Sequence, residues 1–195
     1  MKTLQEKIDA LIREEIKIVT YDPEWPIMFE TEKMHLRDAL PNEIVRRIEH
    51  FGSTAVPGMA AKPIIDMLIE VSGLEETKRV IVPILERQGY EYFWRPTVGD
   101  DGPPFYAWFI KRDRRGERTH HLHMVEGHFE HWDRLLFRDY LRDYPSVAKE
   151  YERVKIAASL ANPHDRRTYA NDKSDIILRI TAAAKKYYRG GPSAA

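Results

Sequence analysis

Asp66 is the residue of this 195-residue chain that most needs a chemical explanation. It lies inside 64–71 (IIDMLIEV), an apolar run between turn formers that reads as a buried strand. A carboxylate there is costly unless it is paired, hydrogen-bonded or bound to a metal. A second group comes from 119–125 (THHLHMV). Strand parity puts His121 and His123 on one face and His120 on the other, while Asp66, Leu68 and Glu70 share a face of their own strand. If the two strands are neighbours, Asp66, His121 and His123 converge within metal-ligand distance. Two imidazoles and a carboxylate suit a divalent ion such as magnesium, manganese or zinc, and the imidazoles favour the softer metals. The competing reading is a metal-free polar cleft in which the histidines are hydrogen-bonded.

The stretch before Asp66 could hold an anion. Between an expected strand at 44–50 and that at 64–71 lies Gly52-Ser53-Thr54, a tight turn whose hydroxyls and amides suit phosphate oxygens. Lys62 adds a positive charge on the same connection. His50, at the end of its strand, could orient Asp66 or act as a base, against the plainer reading of a structural hydrogen bond. Further along, Arg138, Lys155 and Lys173 are candidates to complete a phosphate-binding cleft. Most arginines around 112–118 read as a solvated hairpin tip.

These residues need a scaffold, and the pattern supplies one. A short amphipathic helix covers 1–17, and a second runs from about 25 to 40 with Asp22 as its expected cap. A helix over 74–88 contains Pro83, which predicts a kink or a late start. Strands follow at 90–94, 105–111 and 119–125, with a loop at 95–104 and a hairpin turn at 113–117. From 127 the period is helical: 131–144, a helix opened by Pro145-Ser146, and a last long helix from about Asp165 or Asp172 to Tyr188. The fold class is α/β (α+β), a mixed sheet with flanking helices and a C-terminal helical block. The expected division is an N-terminal helix at 1–17, one domain at 18–188 (sheet part about 18–126, helical part about 127–188) and a disordered tail at 189–195.

Composition narrows the function classes. Lys+Arg and Asp+Glu both number 31, so the formal charge is zero and a nucleic-acid partner is not expected. The chain has no cysteine, which excludes disulfides and thiolate chemistry. No apolar run approaches a membrane span of roughly 18 residues, and the amino terminus lacks a signal-peptide core. A cytoplasmic protein without a membrane partner is expected; oligomeric state is not legible.

Three segments together carry a resemblance: IEHFGSTAVPGMAAKPIIDMLIEV, HLHMV and LLFRDYLRDYPSVAKEYERVKIAASL. They resemble the GrpB family, also called UPF0157, and YDPEWPIMFE before them is similar to its flanking part. The resemblance covers about 18–188. It implies the nucleotidyltransferase superfamily fold, a small mixed sheet like the palm of DNA polymerase beta; a similar domain is fused to dephospho-coenzyme A kinase in some bacteria. In that superfamily Gly-Ser precedes a strand with two carboxylates separated by one residue, and a third comes from a later strand. Gly52-Ser53 and Asp66 match. Leu68 stands at the second carboxylate position, and His121 or His123 near the third. Glu70 shares the face but lies about 6.6 Å beyond Leu68 at ordinary strand rise. Two-metal phosphoryl transfer needs more carboxylates than Asp66 alone.

The sequence is therefore read as a GrpB-like protein that binds a nucleotide or phosphorylated small molecule, with nucleotidyl transfer as the reaction implied by resemblance. Two alternatives stand beside it: a non-catalytic nucleotide- or phosphate-binding regulatory domain, and a metal-dependent phosphoester hydrolase using Asp66, His121 and His123.

Overall fold

The computed structural model describes residues 4–96 and 104–190. Two helices, α1 (Leu4–Arg13) and α2 (Glu24–Ala39), precede strands β1 (Val45–Phe51) and β2 (Ile65–Val71). Next come α3 (Leu74–Glu76), a π-helical turn (Thr77–Ile81), α4 (Val82–Arg87) and strands β3 (Glu91–Pro96), β4 (Phe105–Arg112) and β5 (Arg118–Glu126). Helices α5 (Asp133–Asp143), α6 (Pro145–Ala161), α7 (Arg166–Asn171) and α8 (Ser174–Arg189) complete the order. The class is mixed α/β, with a sheet, flanking helices and a C-terminal helical block.

The chain divides into two compact units, one of Pro23–Ala55 and Ile64–Trp132, the other of Met1–Asp22, Val56–Pro63 and Asp133–Ala195. The sequence boundary near 126 thus moves to 132, and the connection carrying Lys62 groups with the helices.

In the sheet unit the strand order is β1-β2-β5-β4-β3. β2 and β5 run parallel, and the other neighbours are antiparallel. The parallel pair requires a long connection, supplied by α3, α4 and the β3–β4 pair. At the centre, Ile65, Met67, Leu68 and Ile69 are fully buried, as expected of a strand covered on both faces. Helix α2 packs on the face that carries His50, with Phe29 stacked on that imidazole at 4.7 Å between ring centres. Trp25 is buried at the start of α2.

The helical unit has its own cores. Val56, Met59, Leu141, Tyr151, Ile176 and Ile180 form one, and Ile16, Ala158 and Tyr169 a second. The extended piece after α1 is fixed by a bridge between Val19 and Ala61 and by the Ile16 amide, which donates to the Pro163 carbonyl at 2.8 Å.

Several expectations are corrected. Pro23, not Asp22, occupies the cap position of α2, without a side-chain cap bond. Around Pro83 the expected late start is not seen, since helical structure begins at Leu74. Pro83 has no amide to donate, and the turn before it widens so that the Val82 amide reaches the Thr77 carbonyl. Arg95 and Pro96 belong to β3 rather than to the loop, whose positions 97–103 lie outside the described residues. Of the two expected starts for the last long helix the earlier is overturned: Asp165 caps a separate short helix, α7, through the amides of Arg167 and Thr168, and α8 starts at Ser174, close to the alternative start at Asp172. Arg189 ends α8 and pairs with Asp133 at 2.7 Å, so it is not tail; 191–195 lie outside the described residues. No helix among the described residues is long and apolar enough to cross a membrane.

Candidate metal centre

Strand pairing brings the three candidate ligands together. Asp66 lies directly opposite His121 in the β2–β5 ladder, and Leu68 opposite His123. Successive residues alternate faces, so Asp66, His121 and His123 project from one side of the sheet. His121 Nδ1 lies 3.1 Å from Asp66 Oδ1, and His123 Nε2 lies 3.8 Å from the same oxygen. The three ligand atoms all fall within 4.8 Å of one another. Ligands sharing a small divalent ion at about 2.0–2.2 Å each stand roughly 3–4 Å apart, and the 3.1 and 3.8 Å separations from Asp66 Oδ1 match that spacing, so the cluster could hold one ion.

Burial and charge set the protonation states. Burial alone would raise the Asp66 carboxyl, but the hydrogen bonds and charges of His121 and His123 outweigh it and hold the group well below the usual carboxylate range. Burial pushes the His121 imidazole down to about 3, against the opposing pull of Asp66. Its Nε2 is buried without a hydrogen-bond partner among the described residues, which penalises a second proton on the ring. The pair at neutral pH is therefore an ionised carboxylate and a neutral imidazole, with Nδ1–H donating to Oδ1. These charge states suit a divalent cation; for Nδ1 to ligate one, the ring proton would move to Nε2, keeping the imidazole neutral.

Gly52 makes room for the carboxylate. It adopts φ +75°, and a Cβ there would stand 2.5 Å from Asp66 Oδ2. Its role is thus steric as well as conformational, since the left-handed backbone and the close approach both demand glycine. Ser53 opens a single 3-10 turn (Ser53–Ala55) beside it.

Aromatic rings wall the histidines. His123 stacks on Tyr106 at 5.5 Å and meets the edge of Phe51 at 5.1 Å, and Trp108 lies 5.0 Å from His121. His131 in turn packs 4.6 Å from Tyr106. Sequence reasoning missed these neighbours. The alternation Tyr106, Trp108, Ile110 carried a signal once β4 was paired to β5; His131 sits in a 3-10 turn and carried none.

Other candidates are placed elsewhere. His50 is opposite Met67, on the face turned away from Asp66, and its Nε2 lies 3.0 Å from Thr54 Oγ1. It does not orient Asp66, and Phe51 is the residue the register sets opposite that carboxylate. The buried Thr54 hydroxyl is directed to His50 and to the Ile64 carbonyl. Arg138 forms a two-bond pair with Asp139, at 2.7 and 3.0 Å. Lys62 and Lys173 both lie over the Tyr169 ring, at 5.1 and 3.9 Å from its centre. Lys155 is buried in the same unit, and its Nζ donates to the Ala60 carbonyl at 2.7 Å. Glu70 does not act as a second carboxylate beside Asp66; it lies 3.9 Å from Arg46 and against Gly127.

Comparison with known proteins agrees with this architecture. The family model described as GrpB protein matches residues 15–183. The chain is 35% identical over 167 residues to "Glutamate-rich protein GrpB" of Alkalihalophilus pseudofirmus, covering 85% of this chain and 94% of that one. It is 36% identical over 179 residues to "UPF0157 protein YqkA" of Bacillus subtilis, covering 91% of this chain and 50% of that one. The crystal structure of conserved protein GrpB from Enterococcus faecalis is similar with a TM-score of 0.76 and 34% identity, over 89% of this chain and 99% of that one.

Proposed function

The chain belongs to the GrpB protein family, and from that premise we propose that it is a metal-dependent phosphoester hydrolase centred on Asp66, His121 and His123. The observation that carries the reading is the convergence of those three ligand atoms on one side of the sheet, within 4.8 Å of one another. A divalent ion held there would act as a Lewis acid on a phosphoryl oxygen and lower the pKa of a bound water, with coordination positions left open beyond the three protein ligands.

The chain's own residues account for the rest. Asp66 supplies the negative charge that draws a cation into a half-buried site, and the neutral His121 would present its Nδ1 lone pair in the tautomer that carries the proton on Nε2. Tyr106, Phe51 and Trp108 lock both imidazoles in place and keep the floor of the site apolar, which strengthens electrostatic interactions at its mouth. The Ser53 hydroxyl and the amides of its turn are the proposed contacts for a phosphoryl oxygen. The substrate class is a nucleotide or other phosphorylated small molecule.

Nucleotidyl transfer is the second reading. It is favoured by one observation, the packing of Gly52 directly against Asp66, which matches the Gly-Ser arrangement of that superfamily. Weighing against it, Leu68 is fully buried apolar core and the cluster contains a single carboxylate among the described residues. One carboxylate cannot hold and neutralise two magnesium ions.

The test is metal content after loading with zinc, manganese or magnesium, paired with hydrolysis of simple phosphomonoesters and phosphodiesters. About one ion per chain is expected, with turnover that disappears in His123→Ala. Two ions per chain would move the assignment to transfer. No ion with any of the three metals would leave a non-catalytic binding domain.

A further inference from the structure

The sheet face that carries the metal centre also carries a cation that the centre does not use. Arg95 lies opposite Tyr106 in the β3–β4 ladder, and Trp108 lies opposite His123 in the β4–β5 ladder. Residues opposite one another share a side of the sheet, and so does every second residue along a strand. Arg95, Tyr106 and Trp108 therefore stand on the side of Asp66, His121 and His123. The Arg95 guanidinium carbon is 4.5 Å from the centre of the Trp108 ring, and that ring is 5.0 Å from His121. Two short contacts thus link the guanidinium to a metal ligand.

The indole between them is a fixed platform. Trp108 is buried and packs on Phe93 at 5.5 Å as well as on His121. Its Nε1 has no hydrogen-bond partner among the described residues. A buried N–H without a partner is costly, so the N–H does not account for an indole at this position. The ring face does, because tryptophan attracts a cation more strongly than any other aromatic side chain. A guanidinium over an aromatic ring keeps its N–H edge available to an oxyanion.

Other charges from these strands are balanced. Arg47 pairs with Glu49 at 2.9 Å, Arg112 pairs with Glu91, and Glu70 has Arg46 at 3.9 Å. Arg95 is exposed, and among the described residues no carboxylate pairs with it. With Asp66 ionised and both imidazoles neutral, as metal binding requires, a divalent ion leaves one surplus positive charge. Arg95 adds a second. Arg118, buried at the start of β5, adds to the same side, since its charge opposes a second proton on His121. Such a field favours a ligand with two negative charges over one with a single charge.

We infer that Arg95, held over Trp108, makes the metal centre selective for a phosphomonoester dianion over a phosphodiester monoanion. The inference rests on the hydrolase reading, because the ion supplies the other contact to the phosphoryl group. Ser53 belongs to the connection after β1 and Arg95 to β3, so the two proposed contacts come from opposite flanks of the sheet. An arginine that only shields the indole from water would explain the contact with Trp108. It would give no preference between the two ligand charges.

The experiment is calorimetric titration of the full chain, loaded with zinc or manganese and with its ion content measured, at pH 8. The probes are phenylphosphonate, which carries two negative charges, and methylphenylphosphinate, which carries one. Neither has an ester bond to hydrolyse. The parent is expected to bind phenylphosphonate more tightly. Arg95→Gln, at an exposed position that leaves the core intact, should weaken phenylphosphonate roughly tenfold and the phosphinate less than about threefold, the first being the order of one hydrogen bond to a charged group. Arg95→Lys should recover most of the preference, because the charge remains. Arg115→Gln, in the turn between β4 and β5, should change neither affinity. Equal losses for the two probes in Arg95→Gln, no loss for either, or no recovery in Arg95→Lys would overturn the inference. A chain that takes up no ion would overturn the hydrolase reading and this inference with it. The ion content separates that outcome from a loaded chain that is indifferent to Arg95.

Discussion

The carboxylate–histidine cluster and the lysines of the helical unit are held by opposite means. In the sheet unit, two adjacent strands deliver all three side chains, and the ladder that sets Asp66 opposite His121 also sets Leu68 opposite His123. In the helical unit, Lys62, Lys155 and Lys173 arrive from a connecting segment, the middle of α6 and a turn between α7 and α8. Backbone hydrogen bonds define the first arrangement, and side-chain packing defines the second. A ladder-built site places a few groups with little freedom, which suits an ion that demands fixed ligand distances. The lysines are instead met one by one, by the Tyr169 and Tyr151 rings and by the Ala60 carbonyl.

The sharpest way to break the comparison is at the shared oxygen. Asp66→Asn removes the charge that both histidines face, and should lower divalent-ion affinity by at least roughly a hundredfold, as measured by equilibrium dialysis. Affinity within a few-fold of the parent would show that the ladder does not define the site.

Next in size is Gly52→Ala, which meets both a left-handed backbone and the Asp66 carboxylate. It should cost about 2–4 kcal/mol in urea unfolding and loosen the ion as Asp66 is displaced. Gly89, at φ +88° with nothing within 4 Å of an added Cβ, is the control. Gly89→Ala should cost only about 1 kcal/mol. Equal costs at the two positions would remove the steric role assigned to Gly52.

Two linkage experiments separate the two regions by pH. Burial pushes the folded pKa of Lys155 down to about 7, below the ordinary lysine value of 10.5. Between those values the unfolded chain binds the proton and the folded chain does not, so stability rises with pH through that window. Unfolding free energy should increase by about 2 kcal/mol from pH 7.5 to 9 beyond any background trend, an increment missing from Lys155→Met. His121 works at the acid side. Burial pushes its folded pKa down to about 3, below the ordinary histidine value of 6.5, so the unfolded chain takes up its proton first and stability falls as pH drops from 6.5 towards 3. Between pH 7.5 and 5.5 in EDTA the loss should be roughly 1 kcal/mol, and it should vanish in His121→Asn.

The smallest effect is expected at the turn beside the metal centre. Ser53→Ala should weaken binding of a phosphorylated ligand at that centre by about 1 kcal/mol or less, one neutral hydrogen bond. It should leave the preference for a dianionic ligand, assigned to Arg95, unchanged. Loss of that preference would give the role to the turn.

Some of this was determined by local sequence. The alternation in IIDMLIEV and THHLHMV specifies which side chains share a face, because strand geometry has a period of two whatever the surroundings. Turn chemistry at Asp113–Glu117 and Pro145 likewise specified a hairpin and a helix start, and both stand in the structure. What sequence left conditional was whether the two strands were neighbours. That is a matter of sheet order, decided by how β3 and β4 are accommodated beside β5, and no local pattern records it.

His50 shows the same boundary from the other side. Its position next to the turn invited a role beside Asp66, but the register with β2 is a pairing between distant segments and sends its ring towards α2. The lysines of the helical unit were least legible of all, because they were nominated singly as cations and the rings that meet them were not. Helical packing depends on side-chain shape across three segments, and only the folded core at Ile16, Ala158 and Tyr169 fixes where one of those rings lies.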